Sequence, residues 1–128
     1  SLAASSMATF PAEAAALYSA LVRLRVATTA QLLRAARDRE SISSGSVDYL
    51  YGTGYIMFAY VWLRMGMVAH AKLKAGAKGD DAAFYRSKLA AMRFFFTRMM
   101  PMYRTHLALA AQPSSVVTAL PREEILVR

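Results

Sequence analysis

The chain has 128 residues, 56% of them apolar, with 16 basic against 8 acidic side chains, a net charge of +8, a mean hydropathy of +0.26 and no cysteine. One ordinary domain fits that length, whereas a doubly wound nucleotide domain plus a substrate domain does not. The missing cysteine excludes a disulfide framework, a cysteine zinc site, a thiol nucleophile and an iron–sulfur cluster, and the apolar content argues against intrinsic disorder.

Residues 1–10 read as an N-terminal arm. Leu2 to Thr9 has no basic n-region and too little apolar character for a secretory signal. The first residue is Ser rather than Met, so the start reads as a cut edge. The first long helix is predicted from Pro11 to Arg39, with Pro11 in its opening turn and Glu13 near its positive end. Leu17, Leu21, Leu24, Thr28, Leu32 and Ala35 form one stripe, and Val22, Val26 and Leu33 lie on another side. A helix apolar on two sides is sandwiched between neighbours.

Ser41 to Ser46 reads as a loop by its serine and glycine content. The second helix is predicted from about Ser46 to Ala75, with Asp48 in its first turn, Lys72 and Lys74 at its negative end and Gly76 closing it. It is apolar nearly all round, which marks a central element. Tyr49 to Ala69 is the most hydrophobic stretch and the one candidate for a membrane span. Its six large aliphatic and Phe residues contribute roughly −2 to −4 kcal/mol, and a central Arg64 costs about +2.5 to +3.5 kcal/mol. The sum is near zero, so the segment reads as a buried helix without a transmembrane role.

After a turn at Ala77 to Asp80, Asp80 or Asp81 is expected to cap a third helix running to about Ala111 and stopped by Pro113. Phe84, Tyr85, Leu89, Met92, Phe95, Phe96, Met99, Tyr103 and Leu107 share one broad arc, and Pro101 is expected to kink the helix near Thr97 to Met100. Ser114 to Leu120 reads as a short final turn and residues 121–128 as a C-terminal tail, which leaves residues 11–120 as the helical domain. Three rods of about 30 residues, roughly 45 Å each, joined by short loops form an all-α antiparallel bundle. Rods this apolar cannot hide every face alone, so a large exposed hydrophobic patch is expected, to be covered by a second copy or a partner domain.

The carboxylates are sparse. None lies between Tyr49 and Gly79 or between Ala82 and Arg122, so a di-iron site with inward carboxylates and Glu-x-x-His pairs has no residues to build it. Paired-carboxylate acid–base chemistry has no support either. His70 and His106 are the only histidines, and His106 is read as lacking a nearby Asp, Glu or Cys, hence no metal ligands are assigned. The 41–46 serines lack a Gly-x-Ser-x-Gly elbow. Gly52-Thr53-Gly54 reads as small residues permitting close helix contact rather than a dinucleotide fingerprint, and the methionines as core filling. No catalytic or cofactor-binding residue is assigned.

Twelve of the sixteen bases are arginine, whose planar fork suits phosphates and carboxylates. Arg86, Arg93 and Arg104 line the side of the third helix opposite its apolar arc and are the candidate contacts for an anion or coenzyme A phosphates. A solvated helix face is the competing reading. No helix-turn-helix spacing or aromatic–basic RNA signature accompanies them, which disfavours nucleic acid.

Asp48-Tyr49-Leu50-Tyr51-Gly52-Thr53-Gly54-Tyr55, followed by Trp62-Leu63-Arg64-Met65, resembles the extra C-terminal helical domain carried by a subgroup of acyl-CoA dehydrogenase-like flavoenzymes. Phe84 to Phe95 resembles that family's next helix and Ser115 to Leu120 its short ending, so the similarity covers roughly residues 12–120. The resemblance implies a parent enzyme that oxidises the Cα–Cβ bond of an acyl-CoA with FAD, in fatty acid metabolism. It also implies that the flavin site and catalytic glutamate lie in upstream domains, so no functional residue carries over to this sequence. The expected role is a non-catalytic accessory or assembly domain in the cytoplasm, packed on the dehydrogenase body or mediating dimerisation, and meeting acyl-CoA only in the full-length protein. The alternative is a free-standing basic helical module for anionic partners such as a membrane surface or nucleic acid.

Overall fold

A computed structural model describes residues 1–119 and 121–125. It is helical: α1 (Leu2–Thr9), α2 (Pro11–Ala35), α3 (Glu40–Lys74), α4 (Gly79–Phe94), a π-helical turn (Phe95–Met99), α5 (Met102–Ala110), a 3₁₀ turn (Ser114–Val116) and α6 (Arg122–Ile125), with no strand among the described residues. Chain reversals follow α2 and α3, while α4 and α5 continue in one direction. Three long antiparallel rods result, with α3 central and packed against α2, α4 and α5.

The N-terminal arm is more ordered in kind than its sequence suggests. Residues 2–9 form α1, which lies against α2 and α3. The chain then breaks at Phe10, whose buried ring meets His70 of α3 edge-on at 5.7 Å. Pro11 opens α2, where its missing N–H costs nothing, and Glu13 sits in the first turn. Helix α2 ends at Ala35 rather than Arg39. The turn that follows is short because Arg37 and Asp38 both return their N–H groups to the Arg34 carbonyl.

The serine segment predicted as a loop is helical, and α3 starts six residues before the expected Ser46. Two features reconcile the composition with a helix. The hydroxyls of Ser41, Ser44 and Ser46 donate to carbonyls three residues back, at 2.7, 3.4 and 3.0 Å, so they reinforce the turn they usually disrupt. Gly45 is present for proximity: a Cβ there would lie 2.6 Å from the Ala110 carbonyl oxygen of α5. The same seam continues at Gly52, where a Cβ would meet Leu107, then Ala59, then Gly66 against Met92. Small residues every seven positions let α3 approach the α4–α5 rod closely, as the sequence reading expected of Gly52. Gly54 has open space beside it and takes no part.

Helix α3 ends as its sequence indicates. Gly76 adopts φ +96°, its N–H bonds the Leu73 carbonyl at 3.1 Å, and the Ala77 N–H reaches the Lys72 carbonyl at 3.2 Å. These paired bonds satisfy carbonyls that the helix end would leave free. Asp80 and Asp81 stand in the first turn of α4 but do not cap it: the N-cap is Lys78 and no side chain bonds there. Their contribution is charge near the positive helix end.

The interruption associated with Pro101 takes the form of a π turn. The Met100 N–H bonds the Phe95 carbonyl five residues back at 2.8 Å, ahead of the proline that cannot donate. One extra residue enters the turn, and the buried position moves from the expected Met99 to Met100. Met92, Phe95, Tyr103 and Leu107 are buried as the apolar arc indicates, whereas Phe84 is exposed. The core therefore runs from Phe10, Leu17 and Ala20 through Ile56 and Leu63 to Met92, Phe95, Met100 and Tyr103.

Two expectations about α2 need correction. Leu21 and Leu32, assigned to its inward stripe, are exposed, and the buried positions are Ala14, Leu17 and Ala20. Close contact with α3 selects alanine, and the larger side chains fall outside. The expected final turn appears as Ser114–Val116, while Leu120 and residues 126–128 of the tail lie outside the described residues.

Candidate interaction surface

The second apolar side of α2 is uncovered. Val22, Val26 and Leu33 are exposed, with Leu33 at 66%, and on α3 Leu50, Tyr51, Met57 and Phe58 are also exposed, with Leu50 at 70%. Large side chains repeated along two rods form continuous apolar strips, unlike the scattered hydrophobics of an ordinary surface.

Two concavities accompany the strips. The first, about 450 Å³, lies between α1, α2 and α3 and is lined by Leu2, Met7, Leu17, Tyr18, Leu21 and Tyr60, among others. Its one serine, Ser6, already donates its hydroxyl to the Ala3 carbonyl at 3.1 Å. The second, about 420 Å³, separates α2 from α5 and is bordered by Arg23, Arg34 and Arg104.

The sequence-selected arginines divide between two places. Arg86 and Arg93 are exposed on α4. Arg104 stands on α5 beyond the π turn, at the rim of the α2–α5 groove, with its guanidinium 5.9 Å from the Tyr103 ring centre. The groove thus groups Arg104 with Arg23 and Arg34, two residues that the wheel of the third helix could not reveal because they belong to α2. Arg34 donates from Nη1 to the Ala111 carbonyl at 2.6 Å, which ties the ends of α2 and α5 together.

His106 has an acidic neighbour after all. Its Nδ1 lies 3.0 Å from Asp48 Oδ1, and its ring stacks with Tyr51 and Tyr55 at centroid distances of 5.3 and 5.8 Å. Asp48 and His106 are 58 residues apart, and starting α3 at Glu40 places Asp48 in its third turn rather than its first. This is the only contact between a basic and an acidic side chain at salt-bridge distance among the described residues, and both side chains are partly exposed. No group of three His, Cys, Asp or Glu residues suited to a metal occurs among the described residues.

Such a surface is suited to association. Its α1–α2–α3 concavity is apolar, three arginines gather at the rim of the α2–α5 groove, and the His106 ring stacks on Tyr51 and Tyr55. No helix among the described residues is long and apolar enough to cross a membrane.

Residues 2–121 match the family model described as acetyl-CoA dehydrogenase C-terminal like. The chain belongs to this family. A broad-specificity linear acyl-CoA dehydrogenase, FadE5, from Mycobacterium tuberculosis is 34% identical over 82 residues, covering 62% of the chain and 13% of that relative. The chain therefore corresponds to a small part of the curated relative's length.

Proposed function

We propose that this domain is a non-catalytic accessory unit of an acyl-CoA dehydrogenase-like, FAD-dependent oxidoreductase of fatty acid metabolism, in the cytoplasm, packing on the dehydrogenase body or mediating dimerisation. The observation that carries the reading is the pair of uncovered apolar strips on α2 and α3, typified by Leu33 and Leu50. Burial against a partner removes that surface from water, at roughly 25 cal/mol for each Å² of apolar area. A relative that this domain matches over only 13% of its length supports the view that the catalytic machinery lies elsewhere.

The α1–α2–α3 concavity does not fit FAD. A diphosphate needs several N–H donors or guanidinium groups and a flavin needs polar partners at its ring edge. The larger concavity instead presents Leu2, Met7, Leu17 and Leu21. FAD is accordingly assigned to the parent protein, and Arg86, Arg93 and Arg104 are retained as candidate contacts for acidic protein groups or coenzyme A phosphates there.

Sedimentation equilibrium of the isolated domain tests the proposal together with dye reduction by acyl-CoA substrates. Self-association at micromolar concentration and no turnover are expected. A clean monomer that also fails to bind the dehydrogenase body, or measurable turnover, contradicts it.

A further inference from the structure

The α2–α5 groove has a more definite character than the apolar strips. Along α2 its lining runs from Val22 to Arg34, which at 1.5 Å per residue is roughly 18 Å, or three helical turns. Val22, Val26 and Ala30 form a ridge at four-residue spacing on one wall, and Leu107 and Ala108 of α5 with its C-cap Ala111 form the other. Tyr49 of α3 provides the floor, its hydroxyl already hydrogen-bonded to Thr28. A surface groove of this length with a four-residue ridge along one side can seat the side-chain ridges of one further helix laid over it.

Charge selects the kind of helix. Arg23, Arg34 and Arg104 border the groove, and its lining contains no carboxylate. None of the three is in an ion pair among the described residues. Arg34 is held in place by its bond to the Ala111 carbonyl, so its position at the rim is fixed before any partner arrives. A second copy offers a poor complement, because each copy carries a net charge of +8. Its acidic residues also stand mainly in first turns, as Glu13, Asp80 and Asp81 do, while Asp48 is engaged with His106.

We infer that the α2–α5 groove receives an acidic amphipathic helix from the dehydrogenase body. Its apolar side chains, three to four residues apart, lie over Val26, Ala30 and Leu107. Its Asp or Glu residues meet Arg23 and Arg104 at one end and Arg34 at the other. The inference rests on the accessory-domain reading and adds to it a location and a partner chemistry.

Photocrosslinking in the full-length enzyme tests it, with p-benzoylphenylalanine replacing Val26 in one protein and Phe58, on a different exposed face, in another. The Val26 probe is expected to capture a helical segment of the body carrying at least two Asp or Glu residues. Arg23→Glu with Arg104→Glu should lower that yield about tenfold, and Arg23→Gln with Arg104→Gln should lower it less, at unchanged melting temperature. Capture of a second copy, capture of a segment without carboxylates, or an unchanged yield after charge reversal overturns the inference. So does an unreactive Val26 probe when the Phe58 probe captures the body, a result that leaves the accessory reading standing. If neither probe reaches the body, both fail.

Discussion

Replacing Gly45 and Gly54 separately by alanine tests whether the serine segment is a helix in close contact with α5. Both glycines lie within α3, so each replacement recovers roughly 0.8–1 kcal/mol of helix propensity. At Gly54 the new Cβ meets nothing within 4 Å, and the full gain is expected. At Gly45 it would lie 2.6 Å from the Ala110 carbonyl oxygen and 3.3 Å from the Ala110 Cα. Both are backbone atoms of a neighbouring helix, so relief requires α3 and α5 to separate. Overpacking of this kind costs about 1–3 kcal/mol, which leaves Gly45→Ala destabilised by roughly 0–2 kcal/mol after the propensity gain. The propensity gain is common to both variants, so they should differ by the overpacking cost, about 1–3 kcal/mol, or roughly 4–12 °C in melting temperature for a domain of this size. Far-UV circular dichroism melts at one fixed protein concentration measure the difference. If Gly45→Ala melts as high as Gly54→Ala, α3 does not approach α5 at Gly45 and the close seam there is wrong.

Three further outcomes follow from the packing and the surface. Met92 is fully buried, and Met92→Ala should cost about 2–5 kcal/mol in urea unfolding; the same change should soften the penalty of Gly66→Ala, because the added Cβ there collides with Met92. Asp48→Ala should cost under about 1 kcal/mol, since the His106–Asp48 pair is partly exposed, and a loss above about 2 kcal/mol would show the pair to be far more important to the bundle than its exposure implies. Arg86→Ala with Arg93→Ala should leave the unfolding free energy within about 0.5 kcal/mol of wild type, as expected for exposed positions, while weakening coenzyme A or acidic-partner binding in the full-length enzyme; unchanged Michaelis constants and oligomeric state would leave these arginines as solvated surface.

Much of the architecture is legible from local rules. Pro11 opens α2, Gly76 closes α3 with the bonds its sequence position calls for, and the near-uniform apolarity of α3 marks it as central. The departures arise where tertiary contact overrides composition. Ser41 to Ser46 resembles a loop because serine and glycine usually compete with helix, but Gly45 is needed for the approach of Ala110, a residue 65 positions away. The leucines at 21 and 32 suggest an inward face, but the positions of α2 that the structure buries are Ala14, Leu17 and Ala20, and Leu21 and Leu32 lie outside that face. A regular wheel carries no information about the π turn, which is why Met99 rather than Met100 was placed in the core.

The surface follows the same division. Exposed apolar strips could be anticipated from two stripes on one helix, as Val22, Val26 and Leu33 show. The grouping of Arg104 with Arg23 and Arg34 could not, because the residues come from different rods and meet only once α2 and α5 run side by side. The His106–Asp48 pair is hidden for a related reason: its recognition requires the register of α3 against α5, which the contacts of Gly45 with Ala110 and Gly52 with Leu107 define.

Hydroxyl-radical footprinting of Met57, Phe58 and Leu50 in the isolated domain and in the full-length dehydrogenase measures whether the uncovered strip of α3 is an interface. These side chains are exposed in the domain alone and should be modified readily there. Several-fold slower modification in the full-length protein is the expected result, whereas equal rates in both would contradict the assembly role.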